Sequence, residues 1–129
     1  LGMQQAPVYA DVVGEVRDFL KTRVQVAIAA GIAPDRLVLD PGFGFGKTLE
    51  HNLMLLRDLE QSADAEFPLL VGMSRKSILG AITGRPADQR MPASIAVALL
   101  AAQQGAHILR VHDVAATRDA LAVLQALGW

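Results

Sequence analysis

The sequence predicts an α/β fold in which parallel strands alternate with helices. Two observations carry this. Several stretches repeat apolar residues at steps of three and four, the period of a half-buried helix. Between them lie short, near-continuous apolar runs, "RLVLD", "FPLLVG" and "AHILRV", which read as strands covered on both faces. The runs are separated by a few tens of residues, the spacing of right-handed parallel crossovers.

Each element has its own local reason. "YADVVGEVRDFLKTRVQVAIAAG" places Val12, Val13, Val16, Phe19, Leu20, Val24, Ala27 and Ile28 on an amphipathic helix. Gly31 ends it, and Pro34 forbids its continuation. "RLVLD" is a first strand closing on Asp40. "TLEHNLMLLRDLEQS" repeats Leu49, Leu53, Leu56 and Leu59 as a second helix. "FPLLVG" is the second strand, followed by a short helix in "KSILGAITG" and a polar loop at "ADQR". "PASIAVALLAAQQG" has Pro92 in its first turn and Gly105 at its end, both favoured positions. "AHILRV" is the third strand and "VAATRDALAVLQALG" the last helix. An open doubly wound sheet and part of a βα barrel both fit this order. A complete barrel takes ~250 residues and eight strands, about twice this chain.

Composition narrows the class. The chain has 129 residues, 52% of them hydrophobic and 5% aromatic, with a net charge of -1. That is a globular composition suited to one small domain. It offers no basic face for nucleic acid and no polybasic tail for a membrane. With Cys 0, disulfides and thiolate metal sites are excluded, and a reducing, cytoplasmic setting is expected. The longest apolar run is cut by Gln103, Gln104, Gly105 and His107, too soon to cross a bilayer. The opening "LGMQQAPVYAD" lacks the pattern of a signal peptide and reads like the middle of something longer.

Barrels and doubly wound sheets both place their chemistry at the carboxyl ends of the strands. Here those ends deliver Asp40, then Gly72 with Ser74, Arg75, Lys76 and Ser77, then Arg110 with His112 and Asp113. A purely structural edge has no need of that set. The loop "DPGFGFGKT" looks like a phosphate loop but fails both nucleotide fingerprints. Where GxxxxGK[ST] needs its first glycine stands Pro41, and GxGxxG counted from Gly42 or Gly44 ends on Lys47 or Leu49. Alternating Gly and Phe suggest instead a tightly bent loop from which Phe43 and Phe45 project toward a flat ring.

"LDPGFGFGKTLEHN", "LLVGMSRKSILG" and "GAHILRVHDV", in this order and spacing, resemble dihydropteroate synthase, and the likeness runs over essentially the whole chain. The resemblance implies a partial (β/α)8 TIM barrel, roughly strands six to eight with helices five to eight, and makes residues 1–129 the C-terminal portion of one pterin-binding barrel domain. It implies condensation of 6-hydroxymethyl-7,8-dihydropterin pyrophosphate with 4-aminobenzoate, giving 7,8-dihydropteroate and pyrophosphate in folate biosynthesis. It also implies Mg²⁺, sensitivity to sulfonamides as the target class, and a homodimer through the C-terminal helices. The family takes its Mg²⁺-binding Asn, further pterin-binding Asp and Asn, and two mobile loops from the first half of the barrel. The chain alone is therefore expected to be inactive, with the rest of the barrel required.

Carried over residue by residue, Asp40 is the carboxylate for the pterin N–H and amino donors, an acceptor-only group suited to that edge. It could equally be a turn residue before Pro41. Lys76 contacts the pterin, and Ser77 lies near the aminobenzoate. Ser74 reads as a helix N-cap, and Arg75 lies outside the ligand contacts. Arg110 flanks the pterin with its planar guanidinium, and His112 joins it on the departing pyrophosphate. The family likeness thus assigns catalysis to Asp40, Lys76, Arg110 and His112, and adds Gly44, Phe45 and Gly72 to the substrate-binding set. Phe45 is placed nearest the aminobenzoate, with Phe43 beside it or in the core. Lys47 and Thr48 read as the start of a helix, His51 and Asn52 as capping or packing, Asp113 as the cap of the last helix, and His107 as a satisfied buried histidine. Met54, Met73 and Met91 read as packing. One departure from the family is Ala93 where it often has Gly before Ser94, a change for helix packing. A pterin-dependent methyltransferase barrel and a non-catalytic pterin-pocket fragment are the alternatives, with a generic phosphate-binding module behind them.

Overall fold

A computed structural model describes residues 11–44 and 46–128. The chain runs through helices α1 (Val12–Ala29) and α2 (Leu49–Arg57), strand β1 (Leu70–Val71), helices α3 (Ser77–Thr83) and α4 (Met91–Gln103), strand β2 (Ile108–Leu109) and helix α5 (Val114–Ala126). Short 3-10 turns lie at Pro34–Arg36, Leu59–Ser62 and Ala87–Gln89. The Asp11 carboxylate caps α1 by accepting the Gly14 N–H at 3.1 Å. Past its end, Gly31 at φ 101° lets Ile32 N–H return to the Ala27 carbonyl at 3.1 Å, closing a left-handed cap that a Cβ would strain. In α4 Pro92 does occupy the first turn.

The strands are parallel and shorter than their apolar runs. β1 pairs with β2 in the register Leu70 to Ile108 and Val71 to Leu109. The "RLVLD" run contributes a single parallel bridge, Leu39 to Leu69. It is fixed by Leu39 N–H to the Pro68 carbonyl at 2.9 Å and Leu70 N–H to the Leu39 carbonyl at 2.8 Å. Pro68 has no N–H to extend the ladder upstream, and Pro41 cannot extend it downstream. All three runs nevertheless point the same way, so residues 40, 72 and 110 emerge at one edge.

Side chains alternate across these strands. Leu39, Leu69 and Val71 are buried, in one core with Val12, Val13, Val16, Leu20, Leu55, Leu59, Leu79 and Ala101. On the opposite face Val38 and Ile108 are 45% and 41% exposed. The helices pack in chain order, α1 on α2, α2 on α3, α3 on α4 and α4 on α5.

Three sequence expectations shift. In α1 the buried stripe is Val12, Val13, Val16 and Leu20, whereas Phe19 and Ile28 are exposed. In α2 the buried face is Asn52 and Leu55, continuing to Leu59; Leu49 and Leu53 are exposed. The stripe is rotated because a buried polar residue belongs to it. Of the methionines expected to pack, Met73 is buried, while Met54 and Met91 are exposed.

Candidate functional site

Asp40 leaves the sheet edge and folds back at once: its Oδ1 accepts the Gly42 N–H at 2.8 Å. This is the self-bonding turn typical of Asp. Gly42 and Gly44 follow at φ 74° and 89°, left-handed values that cost a side chain energy. Phe43, between them, drops its ring into the core at 1% exposure. It does not project: its ring anchors the loop in the core with Leu39 and Leu79. Phe45 lies outside the described residues.

Each polar group of this loop is tethered separately. The Lys47 ammonium donates to the Gly42 carbonyl at 2.7 Å. The Lys76 ammonium, from the second strand end, donates to the Phe43 carbonyl at 2.9 Å. The Gly44 N–H donates to Asn52 Oδ1 at 2.8 Å, and Asn52 Nδ2 donates to the Thr48 carbonyl at 2.9 Å. Asn52 is only 3% exposed, so both ends of its amide are spent inside the protein. Thr48 and His51 form a reciprocal capping box at the start of α2, each side chain accepting the other's backbone N–H at 3.1 Å.

At the second strand end Gly72 is vacant for a reason. A Cβ there would lie 2.7 Å from Arg110 Nη2 and 2.8 Å from Nε, so the Arg110 guanidinium lies over the Gly72 backbone. Arg110 is itself anchored by its N–H to the Val71 carbonyl at 2.9 Å. Lys76 is the residue before α3 and Ser77 its first residue, on the exposed side.

The second and third strand ends are laced together. Ser74 Oγ accepts the His112 backbone N–H at 3.2 Å and lies 2.9 Å from His112 Nδ1. Ser74 is therefore not the cap of α3; its hydroxyl serves the neighbouring loop. Arg75 pairs with Asp113 at 2.8 Å. Arg75 holds φ 57°, unusual for a side-chain-bearing residue. Its backbone is held from both sides: Ser94 Oγ accepts its N–H at 2.9 Å and Arg90 Nη1 donates to its carbonyl at 3.0 Å. Asp113 occupies the N-cap position of α5 without a side-chain cap bond, because its carboxylate is turned to Arg75. His107 is exposed just before β2, with Nδ1 accepting the Leu69 N–H at 3.2 Å; it is satisfied but not buried. Ala93 packs against the core beside Ser94.

The electrostatics join these pieces. Burial pushes the Lys76 ammonium below its usual pKa, the nearby Arg110 guanidinium pushes it further, and Asp40 opposes both. Burial likewise lowers Lys47, with Asp40 opposing and Lys76 adding repulsion. Asp40, Lys47, Lys76 and Arg110 thus share one electrostatic neighbourhood at the carboxyl edge of the sheet. Among the described residues no group of three or more His, Asp or Glu is placed to hold a metal ion. No described helix is long and apolar enough to cross a membrane.

The family of pterin binding enzymes matches residues 2–112. The chain belongs to the pterin binding enzyme family. It is 56% identical, over 98% of its own length, to dihydropteroate synthase of Neisseria meningitidis serogroup B, covering 46% of that relative. It is 48% identical to the Escherichia coli K12 dihydropteroate synthase over 96% of its length and 44% of the relative. Among solved structures, dihydropteroate synthase from Xanthomonas albilineans in complex with 7,8-dihydropteroate superposes with a TM-score of 0.93 at 52% identity, over 97% of this chain and 48% of that one. The Yersinia pestis dihydropteroate synthase with a sulfonamide drug complex gives a TM-score of 0.93 at 47% identity, over 98% and 46%. The chain spans about half the length of the curated relatives it matches.

For this pterin binding enzyme, the resemblance to dihydropteroate synthase read from the motifs is borne out, and the structure adds residues to the site. Lys47 reads as a helix start in the sequence, yet its ammonium turns back onto the glycine loop. Asn52 reads in the sequence as a capping or packing residue, and in the structure it packs and holds the Gly44 N–H and the Thr48 carbonyl. The Gly44 N–H is committed to Asn52.

Proposed function

We propose that residues 1–129 form the C-terminal part of a (β/α)8 barrel, roughly strands six to eight with helices five to eight, and that the completed barrel acts as a dihydropteroate synthase. The observation that carries this is the convergence of Asp40, Lys76 and Arg110, one from each strand end, in one electrostatic neighbourhood. Helices packed on one another in chain order support a barrel wall. The exposed Val38 and Ile108 are the side chains that opposing strands would cover. The relatives solved with 7,8-dihydropteroate and with 4-aminobenzoic acid supply the ligand chemistry.

In this reading the Asp40 carboxylate accepts from the pterin N–H and amino groups. The Lys76 ammonium, resting on the Phe43 carbonyl, donates to a ring carbonyl or nitrogen. Arg110 lies flat beside the ring, and with His112 it holds the pyrophosphate. Gly72 keeps the space that the guanidinium needs. Ser77 and Phe45 border the aminobenzoate, with the Gly44 backbone shaping the loop. The reaction is a substitution at the pterin methylene carbon. The carbon–oxygen bond breaks, and its electron pair leaves with pyrophosphate. The aniline nitrogen then forms the carbon–nitrogen bond and gives up a proton. Placement and fixed charge supply the catalysis, and no covalent intermediate is needed.

Mg²⁺ would neutralise the pyrophosphate, but the residues here do not fit it. Lys47 and Lys76 lie in the field of the Asp40 carboxylate, with Arg110 beside Lys76, a donor set for anions and ring acceptors and not for a hard cation. The metal ligand is placed in the other half of the barrel, and no step here runs through it. Exposed Leu100 and Val123 on α4 and α5 suit a homodimer through the C-terminal helices. A cytoplasmic setting accords with Cys 0.

Calorimetry with the pterin, with its pyrophosphate ester and with ATP tests the reading. Pterin binding strengthened by the pyrophosphate is expected; ATP binding without pterin binding would favour a generic phosphate module. The purified chain is expected to form no dihydropteroate alone, and to do so once joined by the N-terminal half of the Neisseria meningitidis relative.

A further inference from the structure

The geometry around Ser74 points to a role for a residue not placed among the ligand contacts: we propose that Ser74 is a positioning residue that holds neutral His112 in the tautomer protonated at Nε2. Ser74 is buried, at 8% exposure. Its hydroxyl oxygen accepts the His112 backbone N–H at 3.2 Å and lies 2.9 Å from His112 Nδ1. A hydroxyl carries one proton and two acceptor sites. No described group other than His112 Nδ1 lies within hydrogen-bond reach of Ser74 as an acceptor for that proton. The proton therefore goes to Nδ1, which must then be unprotonated. The neutral ring keeps its own proton on Nε2, the nitrogen on the far side from Ser74. The second ring nitrogen's hydrogen bond sets which nitrogen carries the proton, and here that bond also closes a ring with the residue's own backbone N–H.

The consequence is a donor with a fixed direction. Two bonds to one buried oxygen orient the imidazole from its backbone and from Nδ1 together. The remaining N–H is presented outward by an exposed residue, as a donor for an anionic oxygen. This consequence rests on the pyrophosphate role proposed for His112; the tautomer itself does not.

Nitrogen-15 NMR of the whole chain at alkaline pH, where the imidazole is neutral, reads the tautomer directly. The expected spectrum has an unprotonated Nδ1 and a protonated Nε2 for His112. Ser74→Ala is expected to move His112 toward a mixture of tautomers, and Ser74→Thr to restore the single form. A thermal melt of each variant separates a local change from unfolding, and if Ser74→Ala does not fold, Ser74→Cys, a weaker donor, takes its place. Titration with inorganic pyrophosphate is expected to shift Nε2, with affinity about 3- to 10-fold weaker in Ser74→Ala, one lost or misdirected hydrogen bond. A protonated Nδ1 in the parent chain, or an unchanged tautomer in Ser74→Ala, would overturn the proposal. The predicted tautomer in a chain that ignores pyrophosphate would support the role of Ser74 and remove the leaving-group role of His112.

Discussion

The Lys76 ammonium lies 2.9 Å from the carbonyl oxygen of Phe43, so a charge from the second strand end is parked on the backbone of the first. The contact holds the ammonium where the proposed chemistry needs it. A ring carbonyl entering the site would offer Lys76 the same kind of acceptor that Phe43 offers now.

Lys76→Met is expected to weaken pterin binding by about 10- to 100-fold, the range for losing a hydrogen bond from a charged donor. Its melting temperature should move little, since Lys76 is partly exposed. Calorimetry and a thermal melt read the two effects separately. Equal affinity in the variant would remove Lys76 from the ligand contacts.

Asn52→Leu should act in the opposite sense, on stability first. It orphans the Gly44 N–H beside a buried side chain, at about 1–3 kcal/mol for a group left without a partner, while the Thr48 carbonyl keeps the Asn52 backbone N–H. Urea unfolding measures the loss, and faster exchange of the Gly44 amide localises it. An unchanged Gly44 exchange rate would show that Asn52 does not hold the loop.

Gly72→Ala puts a methyl group where Arg110 Nη2 would be 2.7 Å away. The guanidinium sits at the end of a flexible side chain, so it can move at little cost to the fold. The place proposed for it beside the pterin is then lost. Affinity for the pterin pyrophosphate ester should drop by at least about tenfold with the melting temperature nearly preserved; a change confined to stability would contradict the geometry.

The two depressed lysines give stability a pH dependence. Burial comes first for both Lys47 and Lys76; Lys76 presses on Lys47 and Arg110 on Lys76, while Asp40 opposes both shifts. Below their lowered folded values both states are protonated, and the folded state carries the penalty. As pH rises from there toward the ordinary lysine value of about 10.4, the unfolded chain holds more protons than the folded one, so unfolding free energy increases. The gain is complete above the unfolded value and is lost as pH falls back through the folded ones. Denaturant melts across that window should rise in the parent and flatten in Lys47→Met and in Lys76→Met. A parallel rise in both variants would assign the slope to other groups.

Much of this was legible in the letters. Helix boundaries followed from Gly31, Pro92 and Gly105, because φ-permissive and N–H-lacking residues act locally. The strand directions followed from the βα alternation, and with them the meeting of Asp40, Lys76 and Arg110 at one edge. What stayed hidden depends on partners far along the chain. Phe43 and Phe45 are alike as letters, and only packing decides that Phe43 is core. Asn52 looks like one more helix residue until Gly44, eight residues earlier, turns its N–H toward it. Ser74 has the form of a helix cap, and its employment by His112 arises from a contact across thirty-eight positions. The Asp113 carboxylate is diverted in the same way by Arg75.

Arg75 keeps a left-handed backbone while gripping Asp113, and its neighbour Ser74 grips His112. These links weld the second and third strand ends into a single mechanical part. Neither strand end can then shift without dragging the other, so this edge moves as one block.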